Sequence, residues 1–382
     1  MAICRRARAE PAQHHPKEFV MKLTLDILED FARGAAFLGT GGGGDPYIGR
    51  LAAQYAIEEH GPPDLISLDE LDDDTAVFPV AYIGAPTIFI EKLICGDDMD
   101  LAVTKLEELT GRKAGAIISA EIGGVNSIVP LAVAARRGLP VVDADGMGRA
   151  FPEVQMVTFN VYGVDASPAI IVNEHLEHVV VYANDAKSTE NKLRAIATEM
   201  GLGAGLSCYP MTGRQAKDTA VGGTLSLAIG AGKAIAEGRR QGDPIEGLLT
   251  YLRSTPYYNH CKVLFDGKIV DLLREVKGGW TVGTCVLDAL DGSGSRMEII
   301  FQNENLIAKV DGVTKAIVPD LVCVVDRESG EPVTTETLRY GQRVKVIGVS
   351  CAPIMRTPEA LEVFGPRKFG FDEDFLPIED GD

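Results

Sequence analysis

Three carboxylates stand where short apolar runs end: Glu121 follows AGAIISA (114–120), and Asp143 and Asp145 follow LPVV (139–142). Acids at strand ends can act as general bases, as ligands for a divalent cation, or as hydroxyl acceptors. Brought together they repel one another, which raises a pKa or recruits a cation, and either outcome suits activation of water. A second chemical feature is the glycine run Gly41, Gly42, Gly43 and Gly44, followed by Asp45-Pro46. Glycines leave backbone N–H groups open to a ligand, and a helix starting at Asp45 turns its positive end toward them, so an anion or a developing oxyanion would be stabilised there. The spacing Gly39-x-Gly41-x-x-Gly44 matches a dinucleotide fingerprint, but that fingerprint needs a strand before it and here the preceding pattern is helical. The competing reading is a tight helix-helix corner with Asp45 as a cap.

Cys208 lies in a second glycine-rich passage (201–223) with Thr212 and Arg214, where N–H dipoles and a cation can favour a thiolate. A free cysteine is more often a small buried apolar residue, so Cys208 reads as a pocket-lining group rather than the attacking one. His175 and His178, beside Glu174 and Glu177, lack zincin spacing, and His260 is the remaining acid/base candidate.

The elements needed to position these groups can be read from periodicity. Leu25, Leu28, Phe31, Ala35 and Leu38 fall on one helical face, and Ile48, Leu51, Ala52 and Tyr55 on another, so the glycine loop lies between two helices. Residues 65–68 and 76–83 read as strands and 99–110 as a helix. The stretch 114–142 reads strand, helix, strand: a βαβ unit whose parallel strands put Glu121, Asp143 and Asp145 at one carboxyl edge, with Asn126 opening the crossover helix. Residues 155–163, 168–173 and 178–183 read as extended, and 190–200 and 225–237 as helices. Beyond Cys261 short β-rich runs (261–265, 281–287, 297–301, 316–325, 343–349) alternate with Gly-containing turns. The expected fold class is α/β: an N-terminal α/β domain (21–185) with a partly parallel sheet, then a β-rich α+β domain (186–372), flanked by a disordered tail (1–20) and an acidic tail (373–382).

Charge and composition exclude several classes of function. The 382 residues carry 37 Lys+Arg against 55 Asp+Glu, a formal charge of −18, so neither nucleic acid nor an anionic membrane is an expected partner. Apolar residues at 46% and charged residues at 24% fit a globular chain, and no run reaches the roughly 20 apolar residues of a membrane span. Seven cysteines without Cys-x-x-Cys spacing support neither a disulfide framework nor a structural zinc, which makes a reducing cytoplasm the simplest location.

Several ordered stretches, LGTGGGGD (38–45), EIGGVN (121–126), VVDADGMG (141–148), SCYPMTGR (207–214), FQNENL (301–306) and PDLVCVVD (319–326), resemble the S-methyl thiohydantoin desulfurase-like family, formerly a domain of unknown function. The likeness runs from about Met21 to Gly370; residues 1–20 fall outside it. It implies two domains, genes associated with hydantoinases and oxoprolinases, and replacement of a sulfur substituent at C2 of a five-membered cyclic ureide by oxygen. The residues must supply the roles. Glu121, Asp143 or Asp145 would activate water, as a general base or through a divalent metal ion, while Gly41–Gly44, Asp45, Asn126, Cys208, Thr212 and Arg214 would bind the substrate. The glycine loop would stabilise charge on the ring or hold a carboxylate tail of the substrate. The alternative is an accessory subunit of a hydantoinase-type complex that binds a nucleotide or ureide in the same crevice. A homo-oligomer is compatible with the sequence, and nothing in it demands one.

Overall fold

The computed structural model describes residues 21–84, 96–277 and 280–381; the 1–20 segment, with Cys4, and also Cys95 lie outside the described residues. β1 (Met21–Lys22) leads into α1 (Leu28–Leu38), which stops at Gly39. α2 (Pro46–His60) begins after Asp45, whose side chain accepts from Tyr47 N at 2.9 Å, with Pro46 at the first helical position. The glycine loop therefore joins two helices.

β2 (Asp64–Ile66), β3 (Ala76–Gly84), α3 (Asp97–Thr110), β4 (Ala116–Ser119), α4 (Val125–Arg137), β5 (Val141–Val142) and β6 (Ala144–Asp145) follow. Strands β2, β5, β4 and β3 lie side by side in that order and are parallel. The expected βαβ unit is present, with Ile117 beside Val141. Helix α4 is buried from Ser127 to Ala135, covered by the sheet on one side and α2 on the other, which is why its sequence is apolar nearly all round.

The same sheet continues with strands from both sides of residue 185. After α5 (Thr158–Val161), β7 (Ala169–Val172), β8 (His178–Val181) and α6 (Ala186–Glu199), β9 (Gly203–Ser207) pairs antiparallel with β3, and β7 and β8 complete that side. The expectation of an extended 155–163 is corrected: α5 forms there because Thr158 turns back, its N and Oγ1 both donating to Gly146 O. β10 (Met211–Thr212), α7 (Gly213–Thr219), β11 (Val221–Gly222), α8 (Thr224–Gln241) and α9 (Pro244–Arg253) close this half. Small residues let α8 touch α1 backbone to backbone: a Cβ on Gly34 would fall 1.7 Å from Ala228 O, and one on Gly232 1.8 Å from Asp30 O.

β12 (Cys261–Lys277), β13 (Trp280–Ala289), β14 (Arg296–Gln302), β15 (Glu304–Val310), β16 (Val313–Ile317), β17 (Leu321–Asp326) and β18 (Arg343–Val349) form a second, antiparallel sheet in the order β16-β15-β14-β13-β12-β18-β17. It curls until β15 meets β17, joined by Asn305 Nδ2 donating to Val322 O at 2.9 Å and Val318 N to Leu306 O at 2.8 Å. The run 316–325, expected as one strand, is two, interrupted at Pro319, which has no N–H for a ladder. Strand β17 is apolar from Leu321 to Val325 because it is buried on both faces there. Leu321, Cys323 and Val325 join the main core, and Val322 and Val324 a smaller core inside the curled sheet. α10 (Pro358–Phe364) follows, and the acidic 373–381 segment packs on this sheet through Ile378, 2% exposed, and a Lys309–Glu373 ion pair. No helix of the described residues is long and apolar enough to cross a membrane.

Candidate functional site

The carboxyl ends of β3 and β4, the glycine loop, β9 and the β14–β15 turn enclose a cavity of about 100 Å³. Of the residues expected at a site, Gly43, Gly44, Glu121, Asn126 and Cys208 line it. Glu304 and Asn303 reach it from the second sheet, a contribution the sequence reading missed.

Glu121 is 7% exposed; its Oε1 accepts from Asn126 Nδ2 at 2.7 Å and its Oε2 has no hydrogen-bond partner among the described residues. Asn126 is itself held by β3, its Oδ1 taking Tyr82 N at 2.7 Å and its Nδ2 donating to Tyr82 O at 3.0 Å. Burial pushes the Glu121 carboxyl up to about 8, with the Asp145 charge adding and the Asn126 hydrogen bond opposing. Glu304, 2% exposed, also has a bare oxygen, Oε2; burial and then the nearby Glu121 charge hold it well above the carboxylate range, against the pull of Arg149. Two buried carboxyls therefore share one small cavity, and protons are kept there at neutral pH.

Glycine brings the loop close enough to matter. A Cβ on Gly42 would fall 2.0 Å from Glu304 Oε1, one on Gly43 2.7 Å from Gly123 C, and one on Gly124 2.1 Å from Gly43 O. The LGTGGGGD and EIGGVN motifs thus pack backbone on backbone, with Val125 N donating to Gly43 O at 2.9 Å. Among the described residues nothing accepts from the N–H groups of Gly43 and Gly44. Gly41 lies beside the cavity rather than in it: its O takes Thr335 N at 2.8 Å and Thr335 Oγ1 at 3.0 Å, tying the loop to the second sheet.

Arg149 locks these parts together. It is fully buried and donates to Thr40 Oγ1 at 2.9 Å, Asn305 O at 2.8 Å and Asp320 O at 2.9 Å, with its guanidinium 4.8 Å from the Phe151 ring. One side chain thereby fixes the start of the glycine loop, the strand carrying Glu304 and the PDLVCVVD segment.

Other expected residues have different tasks. Asp145, pushed up to about 7 by burial, sits behind Glu121, and its Oδ2 accepts from the N–H groups of Ile122, Met147 and Gly148 at 2.8–3.0 Å. The expectation that Asp143 joins the cluster is corrected: β11 pairs with β6 and carries the start of α8 across Asp143, whose oxygens accept from Leu225 N, Ser226 N and Ser226 Oγ at 2.5–3.0 Å. Asp45 caps α2 and lies in a separate surface groove. Thr212 caps α7, taking Gln215 N at 3.1 Å, and Arg214 pairs on the surface with Asp218. Burial pushes the Cys208 thiol up to about 12, unlike an activated nucleophile. His175, His178 and His260 are exposed outside the cavity, and no three His, Cys, Asp or Glu among the described residues meet in a metal-holding arrangement.

With the site in view, the comparisons with known proteins become informative. Residues 26–183 match the model for the S-Me-THD-like N-terminal domain and residues 183–378 that for the S-Me-THD-like C-terminal domain. The chain belongs to the S-Me-THD-like family. None of the curated proteins compared matches it. A crystal structure of a protein from Chromobacterium violaceum is similar over 94% of this chain and 100% of its own, at 26% identity and a TM-score of 0.77. The motifs that carry the S-Me-THD-like resemblance are scattered over nearly 300 residues of sequence, yet residues from all of them meet at the cavity or around Arg149. Glu304 carried one signal in the sequence: the polar Asn303-Glu304-Asn305 interrupts an otherwise apolar β run.

Proposed function

We propose that this S-Me-THD-like protein hydrolytically removes a sulfur substituent from C2 of a thiohydantoin-like ring, with Glu121 and Glu304 as its acid-base pair. The observation that carries this reading is the pair itself: two buried carboxyls, each with a bare oxygen, lining one cavity beside two uncommitted backbone N–H groups. Hydrolysis needs a base to take a proton from water and an acid to give one to the departing sulfur. Glu304, held well above the carboxylate range, is the acid, and Glu121, at about 8, is the base in the fraction of molecules in which it has released its proton. The ionised member accepts a proton as the water oxygen bonds to C2. The C2–S bond then breaks as the protonated member gives its proton to the sulfur, the base passes the proton it took to the ring nitrogen, and the C2 hydroxyl returns its own proton to the acid, leaving a C2 carbonyl and a thiol. Gly43 and Gly44 N–H groups would bear the negative charge that develops on the ring. Asp145 supports the pair through its charge on Glu121 and does not line the cavity.

Release of the sulfur separates this reading from the alternative, an accessory subunit that binds a nucleotide or ureide in the same crevice. The test is incubation of purified protein with a 2-methylthio-imidazolone, with methanethiol measured by a thiol reagent and hydantoin by mass. Stoichiometric release of both is expected. Tight binding of the ring with no thiol released would overturn hydrolysis.

A further inference from the structure

We propose, building on that function, that the pocket selects a ring that is uncharged and carries an apolar substituent, and rejects the same ring bearing a carboxylate. Among the described residues that line it, Glu121, Glu153 and Glu304 are acidic and Arg194 alone is basic. Arg194 is already committed: Nε donates to Glu190 Oε1 at 2.6 Å, Nη2 donates to Pro152 O at 3.0 Å, and its guanidinium lies 5.5 Å from the Trp280 ring. Glu190 is 1% exposed, so Arg194 answers a buried charge that would otherwise be unpaired. Of the other nearby cations, Lys187 is paired with Glu153 at 2.5 Å, and Arg149 does not line the cavity and spends its N–H groups on Thr40, Asn305 and Asp320.

A ligand carboxylate entering here would lose its hydration and meet no uncommitted cation among the described residues. Among the described residues, no uncommitted cation is placed to neutralise the anion tail expected on the glycine loop. What the cavity offers fits a neutral ring. Bare oxygens of Glu121 and Glu304 accept ring N–H groups, the N–H groups of Gly43 and Gly44 face ring carbonyls, and a carboxyl that keeps its proton adds one more donor. The remaining wall is hydrocarbon, with Ile83, Val154, Val157 and Leu206 among its members, and it complements a methyl-terminated substituent. Selection works by both attraction and exclusion: the apolar wall rewards the right substituent, and desolvation without an uncommitted cation among the described residues penalises the wrong one.

Two nearly isosteric product-type ligands test this without turnover: 5-isobutylhydantoin and hydantoin-5-acetic acid, with hydantoin-5-acetamide as a neutral polar control, titrated calorimetrically at pH 7.5. The isobutyl compound should bind, the acid about a hundredfold more weakly or not at all, and the amide in between. Comparable affinity of the wild-type protein for acid and isobutyl ligands would overturn the selection while leaving desulfurisation standing. Binding of none of the three, and of no 2-methylthio analogue, would remove the proposed function and this inference with it.

Discussion

A Cβ placed on Gly42 would fall 2.0 Å from the Glu304 carboxylate, whereas one placed on Gly223 would meet nothing within 4 Å. These glycines belong to two passages, 39–44 and 201–223, that look alike in sequence. In the first, glycine permits close approach: loop backbone lies against Gly123-Gly124, the second sheet and a buried acid. In the second, Gly223 is needed for its φ of +77° where the chain enters α8. The carboxylates divide the same way. Glu121, beside the first passage, is buried with a bare oxygen, while Asp143, beside the second, has its oxygens occupied at the start of α8. The acid that lines the cavity keeps a bare oxygen, while the acid beside the second passage is spent on holding a helix start, so neither glycine nor acid content alone distinguishes a site from a structural turn.

The largest effect expected from this contrast is on turnover. Glu121→Gln or Glu304→Gln should lower it about a hundredfold or more, the usual scale for a lost general acid or base. Stability should move the other way. Glu121 keeps its proton in the folded state up to about pH 8, whereas its ordinary value is 4.5. Between those values the unfolded chain has released a proton that the folded chain holds, so this group makes stability fall as pH rises through that window. Glu121→Gln removes the fall, and its melting temperature relative to wild type should be higher at pH 8 than at pH 5. An equal offset at both pH values would show that Glu121 holds no proton.

The second effect pits the two passages against each other. Gly42→Ala must displace the Glu304 carboxyl, and misplacing a reacting group costs about tenfold or more in turnover, with a smaller change in melting temperature. Gly223→Ala forces a side chain into a left-handed conformation and should cost roughly 1 kcal/mol of stability with activity retained. Equal activity in the two variants would erase the distinction between them. Gly43 is a poorer probe, since a Cβ there strikes the Gly123 backbone at a φ of +74° and tests the fold as much as the site.

Much of the fold was legible because periodicity reports burial. The βαβ unit, the helix–glycine–helix corner and strand 343–349 follow from apolar spacing, and Glu121 stands at the strand end where alternation of elements places it. Long-range pairings were not legible. That β9 would join the first sheet, or that β11 would carry α8 over Asp143, depends on contacts between residues some 80 to 130 apart. The same limit hid Glu304, which meets Glu121 only because Arg149, Asn305 and Thr335 bind the glycine loop to the second sheet. α9 and α10 were missed because each is short and begins at a proline that reads as a turn.

A smaller effect is expected at Asp143. Asp143→Ala leaves two N–H groups at the start of α8 without their acceptor, and loss of such a cap costs about 1 kcal/mol. Melting temperature should fall by a few degrees while turnover stays within about twofold of wild type. A loss of turnover as deep as that of Glu121→Gln, in a folded protein, would restore Asp143 to the catalytic group.

The smallest effect separates Arg214 from the cavity altogether. Its Nε is 2.9 Å from Asp218 Oδ2, one helical turn on, with the two side chains 64% and 51% exposed. Exposed pairs of this spacing contribute about 0.3–0.5 kcal/mol, because water screens the charges and both side chains lose freedom in making the contact. Thr212 beside it caps α7 and does not line the cavity. Arg214→Ala should therefore leave turnover, KM and melting temperature all near wild type. Were Arg214 a ligand for the substrate, KM would rise while stability stayed constant, and that combination would show that the second glycine passage moves toward the cavity when substrate binds.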